Sequence, residues 1–275
     1  MKLLTAIVFL IFGFSVRGQA TRFSYEYRFI PDSTNISDVK HEMMNLDTST
    51  SGSKFYSYTK YKSDSMMKVN LDRQLTGTGT MNVKPNMERG SVKYSVTKKY
   101  PDYKTFLHAA ILADKYKMAE ERPVVWKITS EKKIIGEWKT QKAETDFAGR
   151  HWSAWFTADI PIQDGPYKFH GLPGLIVEIE DQTQSHIFTL KAVKNISASE
   201  ENFLDLTGIE ISPKQYSKLL KDYENDPAAG VKKLMMGGMT MVRKDGPGSS
   251  LKDQENRLKA RIKKDNNRIE LSTSL

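Results

Sequence analysis

Cysteine is absent from the whole 275-residue sequence, which excludes disulfide staples, thiol nucleophiles and thiolate metal sites. Histidine is scarce, at five residues, and none is spaced as a metal ligand. His41-Glu42-Met43-Met44-Asn45 approaches the zinc-protease helix, in which two histidines four apart hold the metal, but Asn45 replaces the second and asparagine is a poor zinc ligand. His108, His151, His170 and His186 stand alone, and only strand pairing would bring His151 and His170 together. Also missing are a Gly-x-Ser-x-Gly elbow, a phosphate loop and a dinucleotide fingerprint; Gly77-Thr78-Gly79-Thr80 reads as a turn. Asp and Glu are plentiful, yet a catalytic carboxylate pair is defined by separation in space, which spacing along a chain does not supply. No catalytic residue, metal ligand or cofactor is therefore assigned, and a non-enzymatic role is expected.

Long apolar runs are lacking too, apart from Leu3 to Val16, which is itself broken by Thr5, Gly13 and Ser15. This run follows Met1-Lys2, precedes Arg17-Gly18-Gln19-Ala20, and is shorter than the about 20 residues that cross a bilayer as a helix. Residues 1–18 are therefore expected to be a cleavable signal peptide, with cleavage after Gly18 or Ala20. The mature chain is expected to be periplasmic or secreted, without a transmembrane segment, and with no cysteine to carry a lipid anchor. Losing Lys2 and Arg17 lowers the 42 basic residues to 40 against 33 acidic ones, a balance of +7. Lys252 to Arg268 supplies +4 of that, seven Lys or Arg against Asp253, Glu255 and Asp265. Outside the cytoplasm nucleic acid is not an expected partner, so this segment reads as a solvated helix face or a contact for anionic lipid or glycan. Without disulfides, stability must come from a hydrophobic core, which a chain of this length can build.

What the sequence has in quantity is short β-favouring segments. Strands are expected over 24–29, 54–61, 91–98, 124–129, 136–145, 150–157, 175–180 and 185–193. In 54–61, Tyr56 and Tyr58 alternate with Ser57 and Thr59, the period of a half-buried strand. Residues 103–118 fit a helix through Phe106, Ala110 and Ala113 and a strand through Leu107, Ala109 and Ile111; the strand is preferred. Polar turns between the segments favour an antiparallel meander over alternating strands and helices. After Glu210 the character changes. Ser212-Pro213-Lys214-Gln215 is a capping box with proline at the first helical position, followed by a stripe of Tyr216, Leu219, Leu220 and Tyr223. A second helix is expected from Ser250, with Asp253 as cap partner, a Glu255–Lys259 pair and a thin stripe of Leu251, Leu258 and Ile262. The expected architecture is mainly β, a curved antiparallel sheet or open half-barrel over 19–210, with a helical C-terminal part over 211–275 packed on the same domain.

Gly171-Leu172-Pro173-Gly174-Leu175-Ile176 is the hexapeptide that names the GLPGLI family, and the residues before it fit as well. They include Trp126-Lys127-Ile128, Ile135-Gly136, Phe147-Ala148-Gly149-Arg150, Ala154-Trp155-Phe156-Thr157 and Gly165-Pro166-Tyr167-Lys168-Phe169, with Asn266 to Leu271 as the closing segment. The chain thus resembles the GLPGLI family, exported bacterial proteins without an established activity. It departs from the family at Arg268, where proline is usual, and at Thr140, where many members have cysteine. The resemblance implies export, a shared fold and an association with outer-membrane uptake receptors; it implies no reaction. The hexapeptide also has a physical reading, since Leu172-Pro173-Gly174-Leu175 suits a type II turn. Glycine equally permits a ligand to approach the backbone at Pro173 and Gly174.

Two clusters remain. Met235, Met236, Met239 and Met241 surround Gly237-Gly238 and read as gap fillers or a greasy contact, or as thioether ligands for Cu(I). Lys142, Arg150, Trp152, Trp155 and Lys168 read as core packing or, more sharply, as an aromatic and basic lining for an acidic or lipid-like small ligand. The first functional expectation is an envelope binding or carrier protein with an apolar or amphipathic ligand. The second is an accessory protein of an outer-membrane uptake receptor, and the third a hydrolase.

Overall fold

A computed structural model describes residues 20–77, 88, 90–197, 206–229 and 251–271. Its frame is one open sheet of twelve strands that does not close into a barrel. In chain order these are β1 (Ala20–Phe29), β2 (Lys40–Ser49), β3 (Gly52–Ser57), β4 (Ser95–Lys99), β5 (Lys104–Ile111), β6 (Asp114–Ala119), β7 (Lys127–Ile135), β8 (Trp138–Phe147), β9 (Arg150–Thr157), β10 (Leu175–Asp181), β11 (His186–Ile196) and β12 (Ile209–Glu210). Across the sheet the order is β12-β6-β5-β4-β3-β2-β1-β11-β10-β9-β8-β7. All neighbours are antiparallel except β12 and β6, so the meander expected from the sequence forms, with β1 and β11 joining its two halves.

Alternation along the strands sorts residues onto two faces. The inner face carries Phe23, Tyr25 and Tyr27 of β1, Met44 and Leu46 of β2, and Phe55 of β3; Trp152, Ala154 and Phe156 of β9 and Phe188 of β11 join them. Each of the larger apolar side chains among them, such as Phe23, Met44, Leu46 and Phe55, contributes roughly 1.5–3 kcal/mol of hydrophobic stabilisation once buried. Among the described residues three helices surround the sheet: α1 (Tyr58–Leu75), α2 (Pro213–Asn225) and α3 (Leu251–Lys264). The box at α2 forms as expected, with Gln215 N donating to Ser212 Oγ at 3.2 Å and Ser212 N to Gln215 Oε1 at 2.8 Å. Tyr216, Leu220 and Tyr223 then cover Ile111, Tyr116 and Met118 at one end of the sheet. No helix among the described residues is long and apolar enough to cross a membrane.

Two local expectations are corrected, over 54–61 and over 175–179. The strand expected over 54–61 ends at Ser57, because the Ser57 hydroxyl accepts from Lys60 N at 3.0 Å and caps α1, turning Tyr58 to Tyr61 into helix. The zinc-protease helix that Asn45 already rules out does not form, since His41 to Asn45 lies in β2. The strand preferred over residues 103–118 forms as a pair, β5 and β6, divided at Leu112, whose φ of 56° makes the turn. Leu175, Val177 and Ile179, which simple alternation along the strand expected over 175–180 would put on one face, do not share it, because the register to β9 slips between Ile176 and Glu178, and Val177 occupies a bulge. The N-terminal 1–18 segment, the methionine cluster and Ser250 lie outside the described residues.

Candidate functional site

Residues 158–174 leave β9 and fold over the inner face before β10 begins. Leu175 N returns to Ile160 O at 3.1 Å and Ile176 N to Asp164 O at 3.0 Å. This drives Phe169, fully buried, against Trp152 and Phe147, with ring centroids 4.9 and 5.6 Å apart. It also carries Asp164 to the floor of the fold, opposite the inward slot of β4 that Lys98 occupies. Lys98 Nζ donates to Asp164 Oδ1 at 2.5 Å and to the carbonyls of Gly165 and Phe169 at 2.7 and 3.1 Å. Ser53 Oγ and Tyr100 OH both donate to Asp164 Oδ2 at 2.5 Å, and Gly165 N to Oδ1 at 2.6 Å. Burial pushes the Lys98 ammonium below its ordinary pKa, against the opposing pull of Asp164. A serine, a lysine and a carboxylate therefore converge, but Lys98 and Asp164 side chains are 1% and 0% exposed. No substrate reaches them, and the serine proton points at a carboxylate that already accepts from Lys98, Tyr100 and Gly165 N.

A second set gathers around the closing segment. Arg150 Nη1 meets Asp181 Oδ2 at 2.9 Å, and its Nη2 donates to Asn267 Oδ1 at 2.7 Å and to Arg268 O at 2.5 Å. Asn267 reaches back to the first strand's exit, with Nδ2 to Ile30 O at 2.9 Å and its backbone N to Pro31 O at 3.0 Å. Beside it, Lys168 Nζ donates to Glu120 Oε2 at 2.6 Å and Glu270 Oε1 at 2.5 Å. Arg122 forks onto Glu120 at 2.7 and 2.6 Å and Tyr167 OH donates to Glu270 at 2.6 Å.

The sequence-selected residues thus divide. Arg150 and Lys168 do take acidic and carbonyl partners, but those partners belong to the chain itself. Trp152, 1% exposed, packs in the core and donates from Nε1 to Phe147 O at 3.1 Å. Trp155 points to the outer face beneath Lys133, whose Nζ lies 4.2 Å from the ring centre. Lys142 is on that face too, paired with Glu144 at 2.8 Å and Glu131 at 3.3 Å, so it is remote from Arg150 and Lys168 across the sheet. Pro173 and Gly174 do not make the expected type II turn: Gly174 N donates to Leu172 O at 2.7 Å, a tighter three-residue turn, because Leu175 N is taken by Ile160. Glycine is required there for a different reason. Its φ is +147°, and a Cβ would lie 2.0 Å from Thr157 O. Gly174→Ala is therefore expected to cost about 1–3 kcal/mol in urea unfolding; an unchanged midpoint would contradict this packing.

Asp164, Lys98, Glu120 and Glu270 were not selected from the sequence. The signal available for Lys98 was its inward parity beside Val96, which demands a buried acid. At the β8–β9 turn an open depression of about 320 Å³ is lined by Asp146 to His151. His151 and Asp146 pair across it at 2.8 Å.

Buried imidazoles give the fold an acid sensitivity. Burial, then the charge of Arg150, lowers His186 to about 4, and burial, then Lys98, lowers His170 to about 4. Glu120 is pushed up by burial, but hydrogen bonds from Arg122 and the charge of Lys168 outweigh this and hold it at about 2. All three values are below those of the unfolded chain, so the unfolded state takes up protons that the fold does not. Stability is expected to be complete above about pH 6.5, to fall toward pH 4 as the histidines protonate, and to fall again toward pH 2 with Glu120. Urea midpoints recorded from pH 7 downward check this; a flat profile between pH 7 and 4 would show that the histidines contribute nothing.

Residues 146–178, the stretch that holds Arg150, Asp164, Lys168 and the hexapeptide, match the model of a family described as protein of unknown function (Porph_ging). No curated protein matches the chain. Among solved structures, PNGF-II in two crystal forms is similar at 14% identity and a TM-score of 0.49, over 73% of this chain. The chain spans 32% of that protein's length.

Proposed function

We propose that the protein is an exported, non-enzymatic binding module of the cell envelope, affiliated with the GLPGLI family, that acts through its surface as an accessory to an outer-membrane uptake receptor. The observation that carries this reading is the filled interior behind the family-like block. Trp152 and Phe156 are packed in the core, and Arg150 and Lys168 are saturated by Asp181, Glu120, Asn267 and Glu270. A carrier of an apolar or acidic ligand would need Trp152, Phe156 and Lys168 turned toward a cavity, and at Arg150, beside the depression at the β8–β9 turn, the guanidinium is held by Asp181 and Asn267. A hydrolase would need its converging polar groups in reach of substrate, and the Lys98–Asp164 set is sealed. Native mass spectrometry of mature protein isolated from its own envelope without detergent tests the reading. The bare polypeptide mass, together with in-cell cross-links to one outer-membrane receptor, is the expected result. A retained lipid-like molecule in stoichiometric amount would overturn it in favour of a carrier.

A further inference from the structure

The closing segment is held the way a bound peptide is held. It runs from the end of β1 to the β8–β9 turn, past β11, β10 and β9, and main-chain bonds grip it at both ends, Asn267 N to Pro31 O at 3.0 Å and Leu271 N to Ala148 O at 2.9 Å. Between them the Arg150 guanidinium donates to the carbonyls of Arg268 and Ile269 at 2.5 and 3.2 Å. Ile269 packs on the core, and the Asn267 amide is met on its oxygen by Arg150 and on its nitrogen by Ile30 O. Three donors converge on the Glu270 carboxylate: Lys168 Nζ at 2.5 Å, Tyr167 OH at 2.6 Å and Arg122 Nη2 at 3.1 Å. The groove that makes these contacts does not depend on the segment for its own charges. Arg150 also meets Asp181 at 2.9 Å, and Lys168 and Arg122 both meet Glu120 at 2.6 Å, so each cation keeps a fixed acid when the segment lifts. Nor does the segment serve every polar group there. His186, 1% exposed and beside the backbone of Asn267 and Arg268, has an Nε2 with no hydrogen-bond partner among the described residues. The buried hydroxyl of Tyr94, whose ring lies 5.3 Å from that of Tyr167, has none among them either.

We propose that this groove is a binding site for an extended acidic peptide of a partner protein, and that the closing segment is its internal stand-in, with Glu270 in the place of the partner's carboxylate. The partner's main chain takes the Arg150 fork through its carbonyls, and its acidic side chain takes Lys168, Tyr167 and Arg122; the first fixes the path of the peptide and the second its register. Buried groups left without a partner cost free energy, so a peptide that also reaches His186 Nε2 and the Tyr94 hydroxyl gains what the closing segment leaves unused. Lifting the segment does not open the core widely, since none of the described side chains of α3, which leads into it, is buried. While the segment is in place a ligand meets only the fraction of molecules in which it has lifted, which holds the apparent affinity down. The inference goes beyond the accessory reading and does not need it, because its test involves no receptor.

Fluorescence anisotropy of a labelled peptide with blocked ends, Asn-Arg-Ile-Glu-Leu, titrated with the full mature chain tests it. Glu270→Gln in the protein is expected to bind the peptide at least about tenfold more tightly than the parent, because the substitution weakens the internal competitor and leaves the groove intact. A Glu270 that served only to fasten the fold would give the opposite sign or no change. The same peptide with its glutamate replaced by glutamine is expected to bind at least about tenfold more weakly, a comparison that leaves the protein untouched. Amide exchange across residues 266–271 of the parent is expected to rise as peptide is added, since ligand and segment exclude each other. Equal binding of the two peptides would overturn the proposal, as would the lack of any gain in Glu270→Gln. Absence of binding to both proteins at millimolar peptide would overturn it too, and would leave the segment as a fastening of the fold.

Discussion

Replacing Asp164 by asparagine is expected to destabilise the protein by about 3–5 kcal/mol, because it strands the Lys98 ammonium in a site where neither partner meets water. The substitution keeps the size of the side chain and so isolates the charge. It also converts one of the two oxygens that receive Ser53, Tyr100, Lys98 and Gly165 N into an amide donor. Lys98→Met should cost less on its own, since the carboxylate keeps its hydrogen bonds from Ser53, Tyr100 and Gly165. The double variant should be less damaged than the sum of the two, and chemical denaturation of the four proteins measures that coupling. Strict additivity would mean that the pair does not act as a unit. The loop 158–174 should loosen with Asp164, because this residue is where the loop is fastened to β3 and β4.

Arg150→Ala is the second large effect, again about 3–5 kcal/mol, for it leaves Asp181 buried without its cation and releases the carbonyls of Arg268 and Ile269. Here the loss has a place as well as a size. Residues 266–271 are held by Arg150, by the Asn267 bonds to Ile30 and Pro31, and by Leu271 N to Ala148 O at 2.9 Å. Limited trypsin digestion should therefore cleave after Arg268 faster in the variant, with amide exchange rising across the same segment. Lysine at position 150 should restore only part of the protection, since a single ammonium cannot reproduce the guanidinium fork that serves Asp181 and the tail together. Unchanged cleavage in Arg150→Ala would show that the contacts of Asn267, Glu270 and Leu271 fix the tail without Arg150.

Local features were the legible ones. The α2 cap was readable because a box is closed by residues three apart, and residues 150–157 of β9 because alternation and turn residues are neighbours in sequence. The failures were local too where two signals competed. Tyr56 and Tyr58 imitate a strand, but Ser57 caps a helix between them. At His41, by contrast, Asn45 alone rules out the metal-binding helix, and the strand β2 agrees.

Arg150 and Lys168 were recognisable from sequence as residues that would seek acids, since guanidinium and ammonium groups within an aromatic block must find partners or face water. Which acids they found was decided by folding. Asp181 and Asn267 lie 31 and 117 residues from Arg150, and Glu120 and Glu270 lie 48 and 102 from Lys168. The sequence by itself determined the absence of cysteine chemistry, the β-rich architecture and the α2 cap, because composition and short-range spacing are sufficient for those. Only the tertiary structure decided that Arg150 serves the chain's own closing segment and that Lys98 and Asp164 meet 66 residues apart. Charge pairing and strand register depend on contacts between distant segments, and no periodicity along the chain encodes them.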